Sequence, residues 1–523
     1  LQSTDTDTRR RSKPSSPPRL PAAAAMEYYT SSPLFMPLVK LVGEYLGSED
    51  WMHQLFHRTY LPAHYALPDP PVSAAACLSA LPPHDDVDRV SRLPDALLHN
   101  IVSRLPVKDA ARTAALSRRW RGVWRSAPLV LADADLFPAT SAVSSVLAAH
   151  PGPFRCVHLN DCYMDEFPAL LTGWLQILAD KGIRELVLVN RRWPLDITLP
   201  DTFLGMATLT RLYLGPWKFP DTAGLPSATC FGNLRELGLC NVIMESGDLD
   251  FVLDRSPVLE TLCLEGNLFR LCLRLVSQSL RCVQIIGCFL EEIFVVDAPR
   301  LERLIQSEGC TPNGTCTKVK IGHAPKLHLL GYLELDQRHI LEVGNTIIKL
   351  QAGTGVSPST MVPSVGILAL EVRFEVRNDA KMAPGVLKCF PNVETLHIKS
   401  GKNDQSTGKL NLKSWHESGT IECIRSRIKL LFFHDFRGGR GELAFLKFFF
   451  ESALVLQEAV IVFAAAPSSM EEVQSKLDIL GSMKRASETS IVLLTTRSDP
   501  QGGYIWSFKI GSDFSPADPF ENY

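Results

Sequence analysis

A chain of 523 residues exceeds what one hydrophobic core usually holds, so it carries either several domains or an elongated repeat array. Apolar residues at 46% and charged residues at 21% exclude wholesale disorder, and a net charge of -2 supplies no long-range field for nucleic acid, so any basic surface has to be local. Thirteen cysteines, including Cys240, Cys263, Cys282 and Cys423 among apolar neighbours, show no CxxC spacing; they read as buried reduced thiols and point to the cytoplasm, the nucleus or both. The apolar runs "AVIVFAAA" and "LAFLKFFF" are too short to cross a bilayer, and no membrane partner is expected.

Residues 1–86 are expected to be a largely disordered region ending in a Pro-rich linker. The opening "LQSTDTDTRRRSKPSSPPRLPAAAAM" is rich in Ser, Pro and Arg without a period. Because Met26 follows, residues 1–25 read as translated upstream sequence; a transit peptide is the alternative, against which Asp5 and Asp7 count. No basic-then-apolar signal peptide is seen, so the Asn313-Gly314-Thr315 sequon is not expected to carry a glycan. Residues 34–62 have enough apolar residues for short helices, and "LPDPPVSAAACLSALPPHDD" follows as the linker. In "MHQLFHRTYLPAH", His53 and His57 share a helical face and His64 is near, but Gln54 stands where a metalloprotease helix needs its Glu base. No metal is expected there.

The sharpest patterning is "SRLPDALLHNIVSRLPVKDAARTAALSRRWRGVW", residues 91–124. Pro94 suits a first helical turn, where its missing N–H has no partner to lose, and Asp95 complements the positive helix end. Leu97, Leu98, Ile101, Val102 and Leu105 then make one apolar stripe before Pro106 ends the run. Asp109 is placed to cap a second helix of Ala110, Ala111, Ala114, Ala115 and Leu116. Ser117 is placed to cap a third, where Trp120 and Trp124 share a face amid Arg118, Arg119, Arg121 and Arg125. About 40 residues is near the lower limit for unaided folding, so the surplus Leu and Trp surface either docks on another protein or packs on the rest of this chain.

This stretch resembles the F-box of plant proteins: Leu93-Pro94, a helix ending at Leu105-Pro106, then "AARTAALSRRWR" with Trp124 after it. The resemblance implies an F-box over residues 87–137 that binds a Skp-type adaptor and, through it, a cullin and a RING subunit in an SCF ubiquitin ligase. It further implies that Leu93, Pro94, Leu97, Leu98, Ile101, Leu116, Ser117 and Trp120 lie at or near the adaptor face. Ile101 and Trp120 in particular could instead hold the three helices together.

From residue 150 the unit L-x-x-L-x-L recurs as Ile183, Leu186, Leu188; Leu209, Leu212, Leu214; Leu234, Leu237, Leu239; Leu259, Leu262, Leu264; and Leu280, Val283, Ile285. A period of roughly 20 to 29 residues is that of leucine-rich repeats, each adding a short strand to a curved parallel sheet. Phe154, Val157 and Leu159 begin the series; Val393, Leu396, Ile398, then Ile428, Leu431, Phe433, then Leu456, Ala459, Ile461 extend it. Cys162, Asn267 and Cys288 occupy the consensus Asn or Cys place that bonds the turn backbone, a structural role rather than a metal or redox one. Between 305 and 390, "GCTPNGTCTKV" and "QAGTGVSPSTMVPSV" blur the period. Repeats are expected over 150–404.

Residues 415–461, from "WHESGTIECIRSRIKL" to "VLQEAVI", resemble the FBD region that follows leucine-rich repeats in plant F-box proteins, with Glu422-Cys423-Ile424 where Pro-Cys-Leu is common. The residues read as a strand over 428–433, a Gly turn, a helix burying Leu446, Phe449, Phe450 and Ala453, and a strand over 456–463. Such a unit over 405–470 would cap the solenoid, leaving 471–523 as a C-terminal segment. "GGRGE", residues 438–442, lacks the Lys-Ser/Thr pair of a phosphate loop and reads as a turn.

The expected fold class is therefore α/β: a three-helix F-box, a curved leucine-rich-repeat solenoid and an FBD-like strand-helix-strand cap. No G-x-S-x-G elbow, Cys/His nucleophile setting or kinase signature appears, so neither catalytic residues nor a cofactor are expected. The expected function is that of a non-catalytic substrate receptor of an SCF-type ligase, with a protein substrate on the repeats. The alternatives are a repeat scaffold without ligase activity and, further off, a DNA-binding regulator using the arginines of "RRWRGVWR"; the absence of net basic charge counts against nucleic acid.

Overall fold

The computed structural model describes residues 88–521, apart from 137–138, 161, 163–167, 191–196, 226–229, 267–270, 289, 308–316, 336–339, 344–345, 350–360, 402–413, 465–469 and 497–507. The expectations for residues 1–86, including His53, His57 and His64, and those for Asn267 and the Asn313 sequon fall outside the described residues.

Three helices come first: α1 (Asp95–Val102), α2 (Val107–Thr113) and α3 (Arg118–Ser126). Pro94 and Pro106 are the N-caps of α1 and α2. Asp109 therefore does not cap α2. It sits inside the first turn, where its carboxylate still faces the positive helix end and meets Arg112 at 2.7 Å. Ser117 does cap α3, its hydroxyl accepting the Trp120 N–H at 3.3 Å. Ser117 is extended, so the chain cannot run helically from α2 into α3, and Ala114 to Leu116 form the turn between them.

The helices have no core of their own. Leu98, Val102, Val107, Ala110, Trp120 and Val123 are contiguous with Leu129, Leu131, Phe154 and Val157 of the first two strands, β1 (Leu129–Ala132) and β2 (Phe154–Leu159). A module too small to stand alone borrows the end of the solenoid.

The strands continue as β3 (Glu185–Leu188), β4 (Arg211–Leu214), β5 (Glu236–Cys240), β6 (Thr261–Glu265), β7 (Leu271–Val276), β8 (Cys282–Ile286), β9 (Leu290–Asp297), β10 (Arg303–Ser307), β11 (Lys318–His323) and β12 (Leu329–Leu335). There follow β13 (Ile340–Val343), β14 (Thr346–Lys349), β15 (Ile367–Val372), β16 (Thr395–Ser400), β17 (Leu430–Phe436), β18 (Glu458–Phe463) and β19 (Ile491–Thr496). Fourteen described strands form one parallel sheet in the order β1-β2-β3-β4-β5-β6-β8-β10-β12-β15-β16-β17-β18-β19. Its register puts like on like: Val157, Leu186, Leu212, Leu237, Leu262, Val283, Leu304, Leu330, Leu368, Leu396, Leu431 and Ala459 are successive partners across eleven neighbouring pairs. Each repeat contributes one apolar rung to a continuous row, which is how a unit too small to bury itself becomes stable in series. Every triad residue named from the sequence is buried.

The return path of the repeats changes along the chain. Helices α4 (Ala139–Ala149), α5 (Pro168–Asp180), α6 (Ser246–Asp254) and α7 (Arg377–Lys388) pack on the rung side. In the middle, β7, β9, β11, β13 and β14 form a second sheet instead, parallel except for β13 with β14. In β7 the alternation is plain: Leu271, Leu273 and Leu275 point into the shared core, and Cys272, Arg274 and Val276 point out.

The strand-helix-strand unit expected near the end of the repeats is β17, then α8 (Arg440–Ser452), then β18. Leu446, Phe449, Phe450 and Ala453 are buried, as their spacing required. The "GGRGE" turn is closed by its own glutamate: buried Glu442 accepts the Gly439 N–H at 2.7 Å, the Arg437 N–H at 3.1 Å and the Ser400 hydroxyl at 2.6 Å, so a carboxylate already occupies the helix N-terminus. The unit is not the last of the sheet. Helix α9 (Met470–Gly481) leads to β19, which pairs with β18 as a further parallel strand, so the strand-helix-strand cap is extended by a repeat-like turn that the sequence reading did not foresee.

Candidate functional site

The ends of α1 and α3 are tied together by Arg119. Its guanidinium donates to the Asp95 carboxylate at 2.7 and 2.9 Å, to the Leu93 carbonyl at 2.6 Å and to the Ser91 carbonyl. Beside it the Trp120 indole N–H donates to the Ser91 hydroxyl at 2.8 Å, and the Ser91 N–H donates to Asp88 at 2.9 Å. The Ser91 hydroxyl and amide hold the Asp88 carboxyl below the ordinary carboxylate value. In the sequence Arg119 is one of four arginines around Trp120 and Trp124; in the structure it joins the start of α1 to the start of α3. At the other end His99 Nε2 lies 2.7 Å from the Ser126 hydroxyl.

This clamp sorts the eight residues singled out from the sequence. Leu97 is 51% exposed and Leu116 is 67% exposed, and Pro94 and Ser117 are also on the surface. Leu93 and Ile101 are half-buried against the core. Leu98 at 0% and Trp120 at 5% exposure are core residues that hold the helices to one another and to β1. Trp124 turns its ring edge to His150 at 5.2 Å, and His150 meets Phe154 in the same way, joining α3 to the first repeat. The exposed members belong to α1 and to the turn before α3, the two segments that Arg119 clamps. With Val90 at 49%, three large aliphatic side chains stand in water on this small module.

Titratable groups elsewhere behave as packing groups. Burial raises the thiols of Cys240 and Cys263 and pushes those of Cys282 and Cys423 up to about 12, which keeps them protonated and unreactive. The Cys288 thiol donates to the Ile286 carbonyl at 3.4 Å, the turn-bonding role expected of it, and the Cys162 N–H donates to Asp133 at 2.9 Å. No helix among the described residues is long and apolar enough to cross a membrane.

Comparison with known proteins divides the chain in three. Residues 90–131 match the F-box domain, residues 171–398 match the LRR repeats of the FBD-associated F-box protein At5g56370, and residues 416–461 match the FBD domain. Among curated proteins, the F-box/FBD/LRR-repeat protein At5g22660 of Arabidopsis thaliana is 26% identical over 71% of this chain and 89% of its own length. The F-box/FBD/LRR-repeat protein At1g13570 of the same plant is 24% identical over 75% of this chain and 94% of its own length. The putative F-box/FBD/LRR-repeat protein At5g44950 is 25% identical over 78% and 99%.

Proposed function

From a chain that carries an F-box, leucine-rich repeats and an FBD domain in series, the organisation of its Arabidopsis relatives, we infer that this protein is a substrate receptor of an SCF-type ubiquitin ligase. Helices α1 to α3 hold a Skp-type adaptor that leads to a cullin and a RING subunit, and the repeats take a protein substrate. The observation that carries the reading is the exposure of Leu97 and Leu116, with Val90, on a module that matches the F-box. Of the other residues that the resemblance implies, Pro94 and Ser117 are exposed and Leu93 and Ile101 half-buried, while Leu98 and Trp120 act through the fold.

The chain itself does no chemistry in this scheme. Tethering raises the effective concentration of a substrate lysine near a conjugating enzyme held elsewhere in the assembly, a contribution of positioning alone. Protonated buried thiols suit a reducing compartment, and we place the receptor's work in the cytoplasm, the nucleus or both. The test is co-purification of the full chain with a Skp-type adaptor, repeated with Leu97→Ala plus Leu116→Ala and with Leu93→Ala plus Pro94→Ala. Capture by the wild type and loss in both variants is expected; an adaptor that ignores the wild type overturns the reading.

A further inference from the structure

The main sheet has a second face, away from the helices, and the chain itself covers much of it. Helix α10 (Phe508–Ser512) and the residues after it, to 521, run across the strands from β3 to β16. Phe508 is buried against Val187, Tyr213, Cys240 and Cys263. Phe520 is buried against Tyr332 and the ring of His397. Gly511 lies so close to the Gln284 amide that a Cβ there has no room.

Ile510, Phe514 and Phe520 also pack on an apolar cluster that includes Ile286, Ile305 and Ile367, and polar side chains of the sheet add to the grip. Buried Arg303 donates to the carbonyls of Gly511 at 3.0 Å, Asp513 at 2.7 Å and Pro516 at 2.7 Å, and Gln284 donates to the Phe508 carbonyl at 2.9 Å. His397 Nε2 meets the Asp518 carboxylate at 2.8 Å. Arg281 and Arg303 flank the Phe514 ring at 4.0 and 4.5 Å. The segment adds no strand to either sheet.

A seal that never opened would need only the apolar part of this contact, since burying a guanidinium, an amide and an imidazole costs desolvation that their hydrogen bonds only offset. Here burial lowers the Arg303 pKa from its ordinary value, a sign of that cost. Main-chain carbonyls are moreover a feature that any peptide presents where its own backbone leaves them free, as at the end of a helical turn. We propose that residues 508–521 are an internal ligand, held on a peptide-binding face from which an acidic protein segment of the same chemistry displaces them. That segment carries three aromatic side chains, a close-approach glycine between the first two and a carboxylate two residues before the third, matched to Arg281 and Arg303 at the middle ring and to His397 at the carboxylate. Calling its owner a substrate rests on the receptor reading. Peptide binding is measured without any adaptor, so the two readings fail separately.

The probe is a fluorescent synthetic peptide of residues 508–521, titrated by anisotropy against the full chain and against the full chain with Gly511→Val plus Phe520→Ala. The double variant should bind the peptide at least about tenfold more tightly than the wild type, because its own segment no longer competes. Adding Arg303→Ala should weaken that binding about tenfold or more, and a peptide with Asp513 and Asp518 replaced by Lys should not bind. Hydrogen exchange of the wild type should show residues 508–521 opening well before β5 to β10. A double variant that loses its sheet signal, a folded one that binds no better than wild type, or a segment that exchanges only with the core strands makes the segment part of the fold and overturns the proposal.

Discussion

Helices α1 to α3 and the main sheet spend their apolar residues differently. Along the sheet each rung from Val157 to Ala459 is buried, and the second face mixes apolar residues that the chain's own end covers, Cys263 and Ile305 among them, with the polar Gln284, Arg303 and His397. On the helices the apolar set is divided within some two dozen residues, Leu98 and Trp120 inside, Leu97 and Leu116 outside. A repeat array supplies each inner unit with two neighbours and can bury its rungs, whereas a short helical module at its end has one neighbour and keeps a surplus. The two regions therefore differ in what they present: exposed leucines on the helices, and on the sheet a mixed apolar and charge-bearing face that residues 508–521 cover.

That contrast can be broken most severely from the inside. Trp120→Ala should cost about 3–5 kcal/mol of local stability by emptying the joint between α1, α3 and β1, seen as rapid hydrogen exchange and proteolysis over 95–126. Trp120→Phe should cost less, losing the bond to Ser91 but little volume. Unchanged protection in Trp120→Ala would mean the indole is not the joint.

Next comes the outside. Leu97→Ala with Leu116→Ala should leave thermal stability within about 0.5 kcal/mol of wild type while weakening adaptor binding by about 2–4 kcal/mol, roughly 30-fold or more by titration calorimetry. Loss of stability without loss of binding would reverse the assignment. Ser117→Ala should remove the α3 cap at a cost of about 1 kcal/mol, read from denaturant melts.

The smallest effect is one of pH. Burial holds the His150 imidazole below its ordinary value of 6.5, between Trp124 and Phe154. Its contribution is complete above that ordinary value; as pH falls below it the unfolded chain takes up a proton that the folded chain refuses, and stability declines until pH reaches the folded value. Melting temperatures measured from pH 7.5 to 5 should drop less steeply in His150→Gln. Parallel slopes in the two proteins would contradict this.

Much of the sheet was legible because the L-x-x-L-x-L pattern is itself the packing requirement: a residue such as Leu212 must be apolar for its rung to form. Strand β15 carries the same spacing in Val365, Leu368 and Leu370 but follows a Gly- and Thr-rich stretch that hid the period. Strand β1 has only Leu129 and Leu131 of a triad, and β19 alternates half-buried Val492 and Leu494 with exposed Ile491 and Leu493, so neither announced itself. The second sheet was legible only as the period-two alternation of 271–276, a local signal that says nothing of its partners. Phe508 and Phe520 had no signal, since two aromatics twelve residues apart mark no periodic element. At the helical site the division into exposed Leu97 and buried Leu98 depends on which side of α1 meets α3, a contact between residues more than twenty positions apart, such as Leu98 with the core around Trp120 and Arg119 with Asp95 and Leu93.

The most direct test of the central claim, that the helices keep an apolar surface for an adaptor, is hydrogen exchange of the full chain with and without a purified Skp-type adaptor. Added protection should fall on residues 93–121 and leave β3 to β18 unchanged. Protection that appears only on the sheet, or nowhere at saturating adaptor, would contradict it.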